Sequence, residues 1–168
     1  MPSQAYEAHK QRTAERSREQ AAAGADIGDI PKVHDRKRRN RCKKRLKSFC
    51  TTYFPEKFYY GFSPDHDRLI AKLERAILKG ELLSLAMPRG SGKTTLCEIA
   101  ALWALLYAHR RFVVLVGADK EAAESLLKSI VVALETNDAI ANDFPEVCYP
   151  LHQIDRTASR CNMLTCRG

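Results

Sequence analysis

Apolar positions along the chain follow two different periods. From Leu69 to Ile77 they recur at three- and four-residue steps (Leu69, Ile70, Leu73, Ala76, Ile77), one face of an amphipathic helix. Ser63 supplies an N-cap, Pro64 suits the first helical position, Asp65 and Asp67 complement the helix dipole, and Gly80 ends the run. A second stripe, Ala123, Leu126, Leu127, Ile130, Val131 and Leu134, predicts a helix that opens at Ala118 and Asp119 and stops at Asn137 and Asp138. Residues 81–86 and 111–117 are short apolar runs of the kind found in buried strands, and 94–108 carry helix formers almost throughout. The order strand, loop, helix, strand, helix predicts an α/β fold around a parallel sheet. Ahead of it, residues 5–23 are compatible with a helix but lack a wide apolar stripe, and 24–31 read as a linker ending in Pro31. After Asp143 the pattern weakens: Pro145 and Pro150 interrupt it, and only 162–166 suggest another short strand.

Between the first strand and its helix stands Met87-Pro88-Arg89-Gly90-Ser91-Gly92-Lys93-Thr94-Thr95. Gly90 and Gly92 allow the backbone to turn its N–H groups toward one anion at a helix N-terminus. Lys93 can reach phosphate oxygens, and the Thr94 hydroxyl can hold a Mg²⁺ that bridges them. Pro88, Arg89, Gly90, Ser91, Gly92, Lys93, Thr94 and Thr95 are therefore the expected ATP-binding residues, with Thr94 toward the metal and a less defined role for Thr95. The loop is a variant of G-x-x-x-x-G-K-[ST], because Met87 occupies the place of the first glycine.

The variant Pro-Arg-Gly-Ser-Gly-Lys-Thr-Thr, with Arg89 four positions before Lys93, resembles the Walker A loop of large terminase subunits, the DNA-packaging motors of tailed phages. Tyr53-Phe54-Pro55, Phe58, Phe62-Ser63, His66 and the stripe from Leu69 to Ile77 resemble the segment that leads into that loop, so the likeness spans about residues 46–168. It implies a P-loop NTPase core in which Lys93 and Arg89 act catalytically, Arg89 as an in-cis stabiliser of γ-phosphate charge. It further implies ATP hydrolysis coupled to translocation of double-stranded DNA into a procapsid. The implied partners are a portal protein and a small terminase subunit, in a homo-oligomeric ring in the host-cell cytoplasm. The Walker B strand, the coupling motif and a nuclease domain would lie beyond Gly168, so the sheet would be incomplete here and this chain alone would bind ATP but barely hydrolyse it.

Asp119 is the one acidic residue that directly follows a strand candidate; it serves as the cap of the next helix or, in a nucleotide-kinase-like arrangement, assists Mg²⁺. Two other readings fit the same residues: another P-loop enzyme, such as a nucleotide kinase or helicase-like ATPase, or a non-enzymatic basic DNA-binding fragment with a relic loop.

Charge adds a second theme. The net charge is +8, and the whole excess lies in residues 1–50, with 14 Lys and Arg against 6 Asp and Glu, while 51–168 hold 14 of each. Nine of the twelve residues 36–47 are basic, and Arg36, Lys37, Arg38, Arg39, Arg41, Lys43, Lys44 and Arg45 are candidates for phosphate contacts on double-stranded DNA. The expected division is a basic, helical and partly disordered arm over 1–47 and the front of an ATPase domain over 48–168. The aromatics Phe49, Tyr53, Phe54, Phe58, Tyr59, Tyr60 and Phe62 either dock the arm on the core or stack on bases. No apolar stretch approaches the ~20 residues a bilayer span needs. The cysteines lack paired C-x-x-C spacing; Cys148, His152, Cys161 and Cys166 are the only conceivable metal set, and buried reduced thiols are the simpler expectation.

Overall fold

A computed structural model describes residues 4–23 and 29–153. The chain forms eight helices among these residues: α1 (Gln4–Ala23), α2 (Arg36–Cys42), α3 (Leu46–Tyr53), α4 (Pro64–Lys79), α5 (Lys93–Leu106), α6 (Lys120–Thr136), α7 (Asp138–Asp143) and α8 (Pro145–Gln153). Every described side chain of α1 is exposed, as expected of a helix without an apolar stripe.

The predicted caps govern the longer helices. Ser63 Oγ accepts from the His66 N–H at the start of α4, and Gly80 closes it in the left-handed conformation at φ 79°. Asp119 accepts from the Ala122 N–H at 2.7 Å to start α6. α5 lies between α3, α4 and α6. Leu96, Ile99, Ala100, Leu102, Trp103, Ala104 and Leu106 are buried along it, so it is apolar on most of its circumference. Aromatic packing completes the core, with Phe49 against Tyr53 at 4.9 Å and Tyr107 edge-on to Phe144 at 5.0 Å between ring centroids.

The expected parallel sheet and α/β core are not formed: no β-strand occurs among the described residues. Residues 81–88 and 112–117 form neither a helix nor a ladder. Their side chains do alternate. Leu83, Leu85, Met87 and Leu115 pack on the helical core, while Leu82, Phe112, Val114 and Val116 point to solvent. The apolar runs thus specify one buried face. A ladder also needs a neighbouring strand at ~4.8 Å, which local pattern does not supply. The third strand candidate, 162–166, lies outside the described residues.

The segment expected to be a basic arm is packed into the fold from Asp35 onward. Cys42, Leu46, Phe49 and Cys50 are fully buried, and α2 packs against α3 and α7. Helix α7 starts at the predicted stop of α6, with Asn137 as its N-cap, and α8 forms where the sequence pattern weakens. Pro145 opens α8 without the loss of a helical hydrogen bond, whereas Pro150 lies within it.

Candidate phosphate loop and basic surface

The loop before α5 turns on two left-handed glycines, Gly90 at φ 78° and Gly92 at φ 73°. A side chain at either position would meet no atom within 4 Å, so it is the backbone conformation that selects glycine. Gly92 is the N-cap of α5, and no side chain caps this helix. Among the described residues the N–H groups of Lys93, Thr94 and Thr95 donate to no carbonyl, and they stand at the positive end of a 14-residue helix. Lys93 folds back over the loop, with Nζ donating to the carbonyls of Met87 at 3.2 Å and Pro88 at 3.3 Å. Ser91 Oγ is shielded from solvent without a hydrogen-bond partner among the described residues. Thr94 is exposed, and Arg89 is exposed and paired with no carboxylate among the described residues.

One residue outside the motif positions the loop. His66 Nδ1 engages Ser63 at the α4 N-terminus, and Nε2 lies 2.8 Å from the Ser91 carbonyl. The imidazole bridges the first turn of α4 to the middle of the loop. A histidine three residues after Ser63, where Glu or Gln completes a capping box, was the available sequence signal for half of this role.

These groups are the ones that phosphate binding needs: spare backbone donors, a helix N-terminus, an unpartnered hydroxyl and a lysine held by carbonyls it can exchange for oxyanions. A nucleotide would be held by residues 88–95, with Thr94 available to Mg²⁺. Asp119 is engaged otherwise, since its carboxylate caps α6. Among the described residues no group of three or more His, Cys, Asp or Glu is placed to hold a metal ion. Cys161, Cys166 and the side chain of His152 lie outside the described residues. Burial pushes the Cys50 thiol up to about 12 and the Cys148 thiol up to about 11, so both behave as packing residues.

The structure divides the basic run by partner. Arg38 forks onto Asp143, with Nε at 2.6 Å from Oδ2 and NH2 at 2.8 Å from Oδ1. Asp143 is fully buried and also accepts from the Tyr53 hydroxyl at 2.7 Å and the Asp35 N–H at 3.2 Å. Burial by itself would raise its pKa, but the hydrogen bonds from Arg38 and Tyr53 outweigh it and hold the carboxyl below the usual range. Arg39 donates to the Asp143 carbonyl at 3.1 Å, pairs with Glu146 and lies 4.6 Å from the centre of the Phe144 ring. Lys47 pairs with Asp67 at 2.7 Å. The remaining candidates, Arg36, Lys37, Arg41, Lys43, Lys44 and Arg45, are exposed and form no ion pair among the described residues. Of the aromatics, Phe49, Tyr53 and Phe54 are core residues, whereas Tyr59 and Tyr60 are exposed, with their rings tilted against each other at 3.9 Å between centroids.

No described helix is long and apolar enough to cross a membrane. In comparisons with known proteins, no protein-family model, no curated protein and no solved structure matches the chain.

Proposed function

We propose that residues 88–95 bind the phosphates of Mg·ATP, and that the chain is the ATP-binding portion of a DNA-packaging motor of the terminase type. The loop carries this reading: Lys93 Nζ rests on the Met87 and Pro88 carbonyls at 3.2 and 3.3 Å, beside two left-handed glycines and an uncapped helix N-terminus. In binding, Lys93 exchanges its two carbonyl partners for phosphate oxygens, the first-turn N–H groups of α5 take up the oxyanions, and Thr94 faces the cation. Arg89, exposed and without an ion pair among the described residues, can approach the γ-phosphate and act on charge that develops during its transfer. The motor assignment rests on the resemblance of this loop and its upstream segment to terminases, and on the basic surface as the place for DNA.

Equilibrium binding of Mg·ATP to the whole chain tests the loop. Lys93→Ala is expected to remove most binding with the fold intact by circular dichroism. Arg89→Ala should spare binding more than it spares hydrolysis in a hydrolysing form of the protein. Undiminished ATP binding in Lys93→Ala would overturn the reading. Steady-state turnover by this chain alone should be negligible, and robust turnover abolished by Asp119→Asn would transfer the catalytic role to Asp119.

A further inference from the structure

The last carbonyls of a helix lack partners within it, and the backbone after α2 meets only part of that need, through Lys43 N–H to Asn40 and Arg45 N–H to Cys42. Three side chains from the end of α5 and the turn after it meet this need. Tyr107 donates its hydroxyl to the Arg39 carbonyl at 2.7 Å, Trp103 its indole N–H to the Cys42 carbonyl at 3.0 Å, and His109 Nε2 lies 2.7 Å from the Lys43 carbonyl. The α5 C-terminus is thereby fastened along the second half of α2. The same turn continues into Arg110 and Arg111, both exposed and without an ion pair among the described residues. Burial lowers the His109 pKa, its bond to the Lys43 carbonyl opposes that, and the charges of Lys43 and Arg110 lower it further. The Arg110 guanidinium lies beside Gly80 at the end of α4, 3.2 Å from where a Cβ there would stand.

Two stretches 66 residues apart in sequence are therefore joined at His109 and the Lys43 carbonyl, and each carries exposed cations without an ion pair among the described residues. On α2, Arg38, Arg39 and Cys42 face the core, leaving Lys37 and Arg41 exposed, and Lys43, Lys44 and Arg45 are exposed in the following turn. We propose that Lys43, Lys44 and Arg45 form, with Arg110 and Arg111, one composite surface that grips the phosphate backbone of duplex DNA. Lys37 and Arg41 extend it, and Arg38 and Arg39 take no part. Charge complementarity selects a phosphate lattice: the apolar residues beneath the cations, Cys42, Leu46, Trp103 and Tyr107, are buried, and the exposed Phe112 beside Arg111 makes a lipid surface the alternative that the test must exclude. Guanidinium forks match phosphate oxygens in pairs, and the tied carbonyls hold the two stretches at fixed separation, so little order has to be gained on binding. Lysine and guanidinium contacts to phosphates carry no sequence information, so contact is independent of DNA sequence. The proposal rests on the reading above that the basic surface meets DNA, and it does not depend on nucleotide binding.

The test is fluorescence anisotropy of the whole chain with two duplex DNAs of unrelated sequence, without nucleotide, across a range of salt. Arg110→Gln/Arg111→Gln and Lys43→Gln/Lys44→Gln should each flatten the slope of log K against log salt by up to about two units, equally for both duplexes, at roughly one unit per phosphate contact. Combining the pairs should add the losses, and Lys128→Gln on the exposed side of α6 should leave the slope unchanged. All these positions are exposed, so circular dichroism should match the wild type. A slope unchanged by Arg110→Gln/Arg111→Gln, an equal effect of Lys128→Gln, tighter binding to phosphatidylserine vesicles than to DNA, or no DNA binding by the wild type would each overturn the proposal.

Discussion

The junction of α2 with α7 and the loop before α5 use polar groups in opposite ways. At the junction each donor meets an acceptor inside the fold: Asp143 receives Arg38, Tyr53 and the Asp35 N–H, and the α2 carbonyls receive Tyr107, Trp103 and His109. At the loop the first-turn donors of α5 and the Ser91 hydroxyl have no partner among the described residues, and Lys93 has only carbonyls. The first arrangement is stabilising because buried charge is tolerated only when paired and hydrogen-bonded. The second keeps its donors in reserve for an anion. Charge abundance alone did not separate the two, since Arg38 and Lys43 belong to the same basic run.

The largest effect that sharpens this contrast should come from the junction. Asp143→Ala strands the Arg38 guanidinium and the Tyr53 hydroxyl, and should cost about 3–5 kcal/mol in urea unfolding; a loss under about 1 kcal/mol would show that the junction is not a structural hub. The depressed pKa of Asp143 also sets a direction with pH. Its contribution is complete above the ordinary carboxylate pKa of about 4 and is lost as pH falls through the lower folded value. Asp143→Asn should therefore be less stable than wild type at neutral pH, with the difference narrowing under strong acid.

Next in size is Gly92→Ala, which forces a Cβ into a left-handed position in open space. A penalty of about 1–2 kcal/mol falls on the loop conformation. Calorimetric titration should show Mg·ATP binding weakened by a factor of roughly 5–30, with the melting temperature nearly unchanged. An unaltered affinity would mean that the loop conformation is not the one that binds.

The smallest effect is expected at His66. His66→Ala removes the contact with the Ser91 carbonyl and half of the α4 capping box, each a neutral hydrogen bond worth about 0.5–1.5 kcal/mol. ATP binding should weaken several-fold, and amide exchange should rise at 90–92 but not in α5. Faster exchange throughout α5 would assign His66 to the core instead of to the loop.

What local chemistry could decide was legible along the chain: the Ser63 and Asp119 caps, the Gly80 stop, the buried stripe of Leu69, Ile70 and Leu73, and the glycine positions of the loop each depend on neighbours within four residues. Residues 81–86 and 111–117 mark the limit of that logic. Their apolar runs specified an inward face, yet no ladder followed, because a strand is completed by a partner distant in sequence. Only tertiary structure decided which arginines are spent on Asp143 and Glu146, since those pairs span 105 and 107 residues. Nothing local to Asp143 announced its role. Short-range steric and capping preferences act before the chain collapses, whereas the pairing of a buried charge is settled only when distant helices exclude water around it.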